Sequence, residues 1–265
     1  MEEKLFDKEL KKEINERSEA SKRTNLSIIA NQIKRIELRM WEFREKSERL
    51  KESGIIARRS GDNNAAKEKF KESIEIDNQI ENELKTLYEI MLEKSDPLLE
   101  KDKIEYRKIE ESKNLSIIQN YVFLAELYEK EKSYLDRQEC CKKGLELFHK
   151  ISDPEPFVLF LSGCLYHLMD GTFLSLSEKN GKKAILCFEE SIRKGQKSEK
   201  TLDTKACQFS YERLGYIYQD SKVFYNVEKA YACFFKAEEY GLDCKEALAR
   251  YKKTLFGKIK FLGKD

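Results

Sequence analysis

Lys183-Ala184-x-x-Cys187-Phe188-x-x-Ser191-x-x-x-Gly195 recurs as Lys229-Ala230-x-x-Cys233-Phe234-x-x-Ala237-x-x-x-Gly241, 46 residues further on. A small residue followed one helical turn later by an aromatic one, repeated at a spacing of tens of residues, points to a helical-repeat solenoid. Such arrays usually serve as binding surfaces rather than reaction vessels.

Working outward, Ala66, Phe70 and Ser73 carry the same small-aromatic-small pattern. A partner pattern, small-x-x-Tyr, precedes it at Ala125/Tyr128, Gly163/Tyr166 and Gly215/Tyr218. Small residues let two helix backbones approach closely, and the aromatic ring fills the gap between successive hairpins. Neither helix of a pair can bury its apolar face alone, so stacking is required. The expected class is all-α.

Composition agrees. Three prolines and 11 glycines in 265 residues are too few breakers for an all-β chain with many turns. Charged residues reach 38%, but 15 Phe and 13 Tyr argue against disorder. The 51 Lys plus Arg and 49 Asp plus Glu give a net charge of +2, with the signs interleaved. A nucleic-acid binder usually shows a basic face, so that partner is disfavoured. Residues 1–23 hold no apolar signal core, and no run long enough to span a membrane occurs. Seven cysteines without framework spacing fit a reducing, cytoplasmic setting.

Three regions are expected. Residues 1–20 form a charged helical arm with Leu5, Leu10 and Ile14 as a thin apolar stripe. Residues 21–96 form a long helical hairpin. Its first helix uses Leu26, Ile29, Ile33, Ile36, Met40, Phe43 and Leu50, and its second uses Ala66, Phe70, Ile74, Ile80, Leu84, Leu87 and Met91. Gly61-Asp62-Asn63-Asn64 makes the turn and N-cap, and Ser95-Asp96-Pro97 ends the second helix. Residues 97–265 form the array. Its helices are expected over about 98–131, 133–148, 156–170, 180–195, 203–219, 226–240 and 243–256. Asn25-Leu26-Ser27-Ile28-Ile29-x-Asn31 recurs as Asn114-Leu115-Ser116-Ile117-Ile118-x-Asn120, by old duplication or by chance reuse of helix residues.

This arrangement resembles the tetratricopeptide repeat (TPR) and its Sel1-like relative. Gly54, Ala57, Gly61-Asp62, Ala66, Phe70, Ser73-Ile74 and Ile76-Asp77 look like one TPR unit. Leu124-Ala125, Tyr128, Cys141 and Gly144-Leu145 look like a second, with Arg137 where a small residue belongs. A unit at Gly163/Ala184 carries an insertion around Asp170–Asn180, and Leu214–Gly241 is more Sel1-like because its inter-helix loop is longer.

The resemblance implies a right-handed α-α superhelix, preceded by the long antiparallel helices, with a concave groove for a protein or peptide. By alignment, groove residues are Arg58, then Glu126, Glu129 and Lys130, then Phe157, Phe160, Leu161, Cys164 and His167, then Phe209, Glu212, Arg213, Tyr216, Gln219 and Asp220. The clamp by which some TPR domains grip chaperone tails is unmatched, because Val122 and Phe123 stand where it needs polar side chains. Phe157, Phe160 and Leu161 read as an open apolar pocket, or as a patch covered by another part of this chain.

Chemistry is sparse. Cys164-x-x-His167 with Cys140, Cys141 and His149 holds the residue types of a zinc site, but Cys140 and Cys141 face different ways and the thiols read as core filler. Two histidines, no Gly-rich phosphate loop and no nucleophile elbow leave no catalytic set, and no cofactor or metal is expected. The basic tail, residues 245–265, reads as a capping helix with a solvated end. The expected function is a non-catalytic binding scaffold. The alternatives are a peptide- or nucleic-acid-responsive regulator and a homo-oligomer formed through the N-terminal helices.

Overall fold

The computed structural model describes the backbone of residues 2–92, 99–253 and 258–262, and the side chains of 27–90, 106–252 and 258–262. The described chain is almost entirely helical. In order come α1 (Glu2–Arg59), α2 (Asn63–Leu92), α3 (Leu99–Lys130), α4 (Tyr134–Phe148), α5 (Pro156–Asp170), a 3-10 turn (Phe173–Ser175), α6 (Glu178–Gly195), α7 (Thr201–Asp220), α8 (Val227–Glu239) and α9 (Lys245–Leu248). Two short strands, β1 (Tyr251–Lys253) and β2 (Ile259–Phe261), pair antiparallel at the end.

α1 and α2 pack against each other as a long hairpin. Gly61 adopts a positive φ of 85°, and the Asp62 carboxylate accepts a hydrogen bond from the Ala65 N–H at 3.0 Å, which caps α2. Ile36 and Met40 of α1 pack with Ile80, Leu84 and Leu87 of α2 and Tyr106 of α3 as one apolar core. The Tyr106 hydroxyl donates to Glu37 at 2.9 Å. Residues 1–20 lie in α1 apart from Met1, but the side chains of their stripe fall outside the described residues, as does the break at Ser95–Pro97.

From α1 onward each helix packs against its successor, and α3 also meets α5, and α5 meets α7. A second, larger core runs from Ala66 and Phe70 to Ala247. One contact recurs along it. A Cβ placed on Gly54, Gly163 or Gly215 would stand 2.7, 2.6 or 2.7 Å from the ring of Phe70, Phe188 or Phe234. The three rings are wholly buried. Burying one such ring contributes roughly 2–3 kcal/mol, and only glycine leaves room for it.

The pair between α3 and α4 obeys the same volume rule with other residues. Ala125 stands at the glycine position and Cys141 at the aromatic one, and both are fully buried. Arg137, at the small-residue position, is buried too. It pairs with Glu129, and its guanidinium lies 5.2 Å from the Tyr134 ring centroid. Its head group fills the space that a side chain at Gly171 would need.

The expected helix over 243–256 is corrected. Among the described residues of that range only Lys245–Leu248 is helical, and Tyr251–Lys253 is the strand that pairs with β2. The reason is alternation. Tyr251, Ile259 and Phe261 share one side with Lys253, and Lys252 and Lys260 fall on the other. Tyr251 packs against Phe234, Tyr231 and Phe261, and its hydroxyl donates to Gln219 at 2.8 Å.

Candidate functional site

The contacts between α3, α5 and α7 set their side chains beside one another, with the end of α1 at one side. Arg58 in the last turn of α1 places a guanidinium nitrogen 2.7 Å from Glu126 of α3 and lies 5.5 Å from the Phe123 ring centroid. Arg213 of α7 approaches the other Glu126 oxygen at 3.6 Å, an ion pair but longer than a good hydrogen bond. The Arg213 side chain keeps 30% of its surface exposed, yet its Nε is buried and has no hydrogen-bond partner. Burial pushes the neighbouring Glu212 carboxyl up, against the pull of Arg213. The cluster therefore sets the Glu126 carboxylate between two arginines, one of which leaves its Nε unpaired.

Next to it runs an aromatic ladder. Phe160 lies 5.8 Å from Phe157, 5.7 Å from Phe209 and 6.0 Å from Phe188, centroid to centroid. Of the two readings of this patch, the open pocket is corrected and the covered one holds at Phe160 and Leu161, which are 9% and 3% exposed. Phe188 of α6 and Phe209 of α7 cover the Phe160 ring, because α5 is sandwiched between its neighbours. Phe157 and Phe209 stay half-buried at the rim.

His167 is likewise not a free groove residue. It is 7% exposed and stacks face to face with Phe173 at 4.0 Å. Phe173 comes from the insertion between α5 and α6, and its other side stacks on Tyr216 at 5.7 Å. Tyr216 in turn meets Phe234 edge-on at 5.0 Å. The loop is firmly built. Gly171 turns the chain at φ 96°, Thr172 and Ser175 cap each other, and the Asp170 carboxylate accepts from Ser177 N–H, Ser177 Oγ and Asn180 Nδ2 at 2.7–2.9 Å. Burial, reinforced by Arg213, lowers the His167 pKa to about 3, so the ring is neutral. Its Nε2 has no hydrogen-bond partner.

The structure thus brings Arg58, Glu126 and Arg213 together, joins Phe157, Phe160 and Phe209, and links His167 to Tyr216 through Phe173. Lys130 is exposed at the end of α3, apart from these clusters, and Glu129 is taken by Arg137. Phe173 was not among the expected site residues. An aromatic side chain within a polar insertion that opens on a Thr-x-x-Ser cap was the available signal.

The candidate zinc ligands are not assembled. His149 faces the Tyr166 hydroxyl at 2.9 Å, and burial pushes the Cys141 and Cys164 thiols up to about 12. Among the described residues no group of three or more His, Cys, Asp or Glu could share a metal ion, and no helix is long and apolar enough to cross a membrane. No family model, no curated protein and no solved structure matches the chain.

Proposed function

We propose that the chain is a non-catalytic scaffold that binds a protein or peptide on the face of α3, α5 and α7, and that its helix pairs form a right-handed TPR/Sel1-like solenoid. The recurring glycine–aromatic contacts support the repeat reading, as do the contacts of α3 with α5 and of α5 with α7. The observation that carries the binding reading is Arg213, whose side chain is 30% exposed and is only loosely paired with Glu126 at 3.6 Å. That separation is beyond a good hydrogen bond, and a carboxylate on the partner would accept a charge-assisted one from the exposed guanidinium. Phe157 and Phe209 offer apolar edges beside it, and Lys130 adds positive charge at the end of α3. The seven unpaired thiols support a reducing, cytoplasmic setting.

The test is affinity capture from native lysate with wild type, Arg213→Met and Lys130→Glu, each checked for folding. A protein retained by wild type and lost with Arg213→Met supports the reading. Equal catches from folded wild type and folded Arg213→Met overturn it. A homo-oligomer is the second reading, favoured by exposed Ile28, Leu38 and Trp41 on α1. Light scattering of the full chain decides it, since a monomer mass at micromolar concentration rules it out.

A further inference from the structure

A layer of polar side chains lies between the two apolar cores. α1 supplies Ser47 and Lys51, α2 supplies Ser73 and Asp77, and α3 supplies Ser116 and Asn120, all buried. In each helix the two residues stand four apart and so share a face. Along α2, the layer falls where Ile74 of one core gives way to Ile80 of the other.

Half of the layer is closed by hydrogen bonds. Ser47 and Ser73 hydroxyls meet at 2.9 Å, Ser73 donates to the Ser47 carbonyl at 3.1 Å, and Asn120 Nδ2 donates to Ser73 at 2.9 Å. The other half is open. Asp77 Oδ2, Ser116 Oγ and Asn120 Oδ1 are buried and have no hydrogen-bond partner. An ionised Asp77 and the Asn120 carbonyl only accept, so among these three open atoms only the Ser116 hydroxyl donates. A proton on Asp77 adds a second donor.

The surroundings favour that proton. Burial pushes the Asp77 carboxyl from 3.8 up to about 6, against weaker pulls from Ser47, Ser116 and Lys51, while Glu48 pushes upward. The nearby cations are already engaged. Lys51 of α1 holds Glu48 at 2.6 Å, and Lys113 of α3, one turn before Ser116, holds Glu81 of α2 at 3.2 Å.

We propose that this layer is a proton-operated joint. With Asp77 protonated, the layer closes with no charge buried on α2. With Asp77 ionised, the same seam holds a buried carboxylate with one oxygen unpaired and opens more readily. If the carboxyl titrates near 6 when closed and near 3.8 when open, linkage makes local opening about tenfold more frequent at pH 7.5 than at pH 5.

The experiment is hydrogen exchange of the full chain at both pH values, corrected for intrinsic rates and read at residues 70–84 and 113–120, in wild type and Asp77→Asn. A parallel NMR titration follows the Asp77 carboxyl carbon in wild type, which needs no variant to fold. The expected result is a carboxyl midpoint near 6, the tenfold pH response in wild type and none in Asp77→Asn. A midpoint near the ordinary value of ~4, or an equal pH response in Asp77→Asn, overturns the proposal.

Discussion

Phe173 and His167 lie parallel, 13° apart in plane and 4.0 Å apart in centroid, so a polar insertion returns a ring to the helix that it leaves. Phe173→Ala removes that cover. His167 should then titrate well above its present value of about 3, moving toward 6.5 as water reaches it. NMR of the ring protons reads this directly. Stability should fall by about 1–3 kcal/mol in denaturant melts.

His167 and Asp77 oppose each other in their effect on stability against pH. The His167 pKa is lowered from 6.5 to about 3, so below 6.5 the unfolded chain binds the proton and stability falls with pH. The Asp77 pKa is raised from 3.8 to about 6, so from 6 down to 3.8 the folded chain binds the proton and stability rises. Each slope approaches about 1.4 kcal/mol per pH unit. Between pH 4 and 6 these two contributions largely cancel. His167→Phe should make stability rise on acidification relative to wild type, and Asp77→Asn should make it fall. Urea melts at pH 4, 5 and 6 check both signs.

Gly163→Ala forces a methyl group to within 2.6 Å of the Phe188 ring and should cost about 1–3 kcal/mol, despite the better helix propensity of alanine. Phe188→Cys alone should cost about 3 kcal/mol through its cavity. Together they rebuild the Ala125/Cys141 arrangement, so the double variant should lose less than the sum, by at least about 1 kcal/mol. A double-mutant cycle by chemical denaturation gives the coupling.

Phe160→Asp and Arg213→Met should behave oppositely. The first buries a charge among Phe157, Phe188 and Phe209 and should cost more than about 4 kcal/mol or prevent folding. The second removes a cation whose closest carboxylate is 3.6 Å away and should change melting by less than about 1 kcal/mol. Thermal melts of the two proteins side by side make the comparison.

Much of the helix layout was legible because its punctuation is local. Pro156 sits in the first turn of α5, Ser177 accepts from the Asn180 N–H at the start of α6, and Asn226 does the same for Lys229 at α8. The small-x-x-x-aromatic pattern was legible as a repeat within one helix, but not the glycine each ring packs on, because Gly54, Gly163 and Gly215 stand at unequal distances along the chain from Phe70, Phe188 and Phe234. The burial of Phe160 was carried by the stretch Phe157–Leu161, which has no polar residue and so suits a helix covered on several sides. The alignment had placed it in a groove instead. The C-terminal hairpin was missed because its strands are three residues long, too short for period-two alternation to outweigh a helical reading. An aromatic residue behind a Thr-x-x-Ser cap marked Phe173, but not its return onto His167, since loop length says nothing of where a loop lands.

The great length of α1 turns the polar layer into a fulcrum. Ser47 lies 45 residues from Glu2 along one unbroken helix, a rod of about 68 Å at 1.5 Å per residue. A tilt of about 5° at the layer would swing the far end of that rod by about 6 Å by simple leverage. A sub-ångström rearrangement among a few buried oxygens would thus be felt as a displacement as wide as a helical turn is tall.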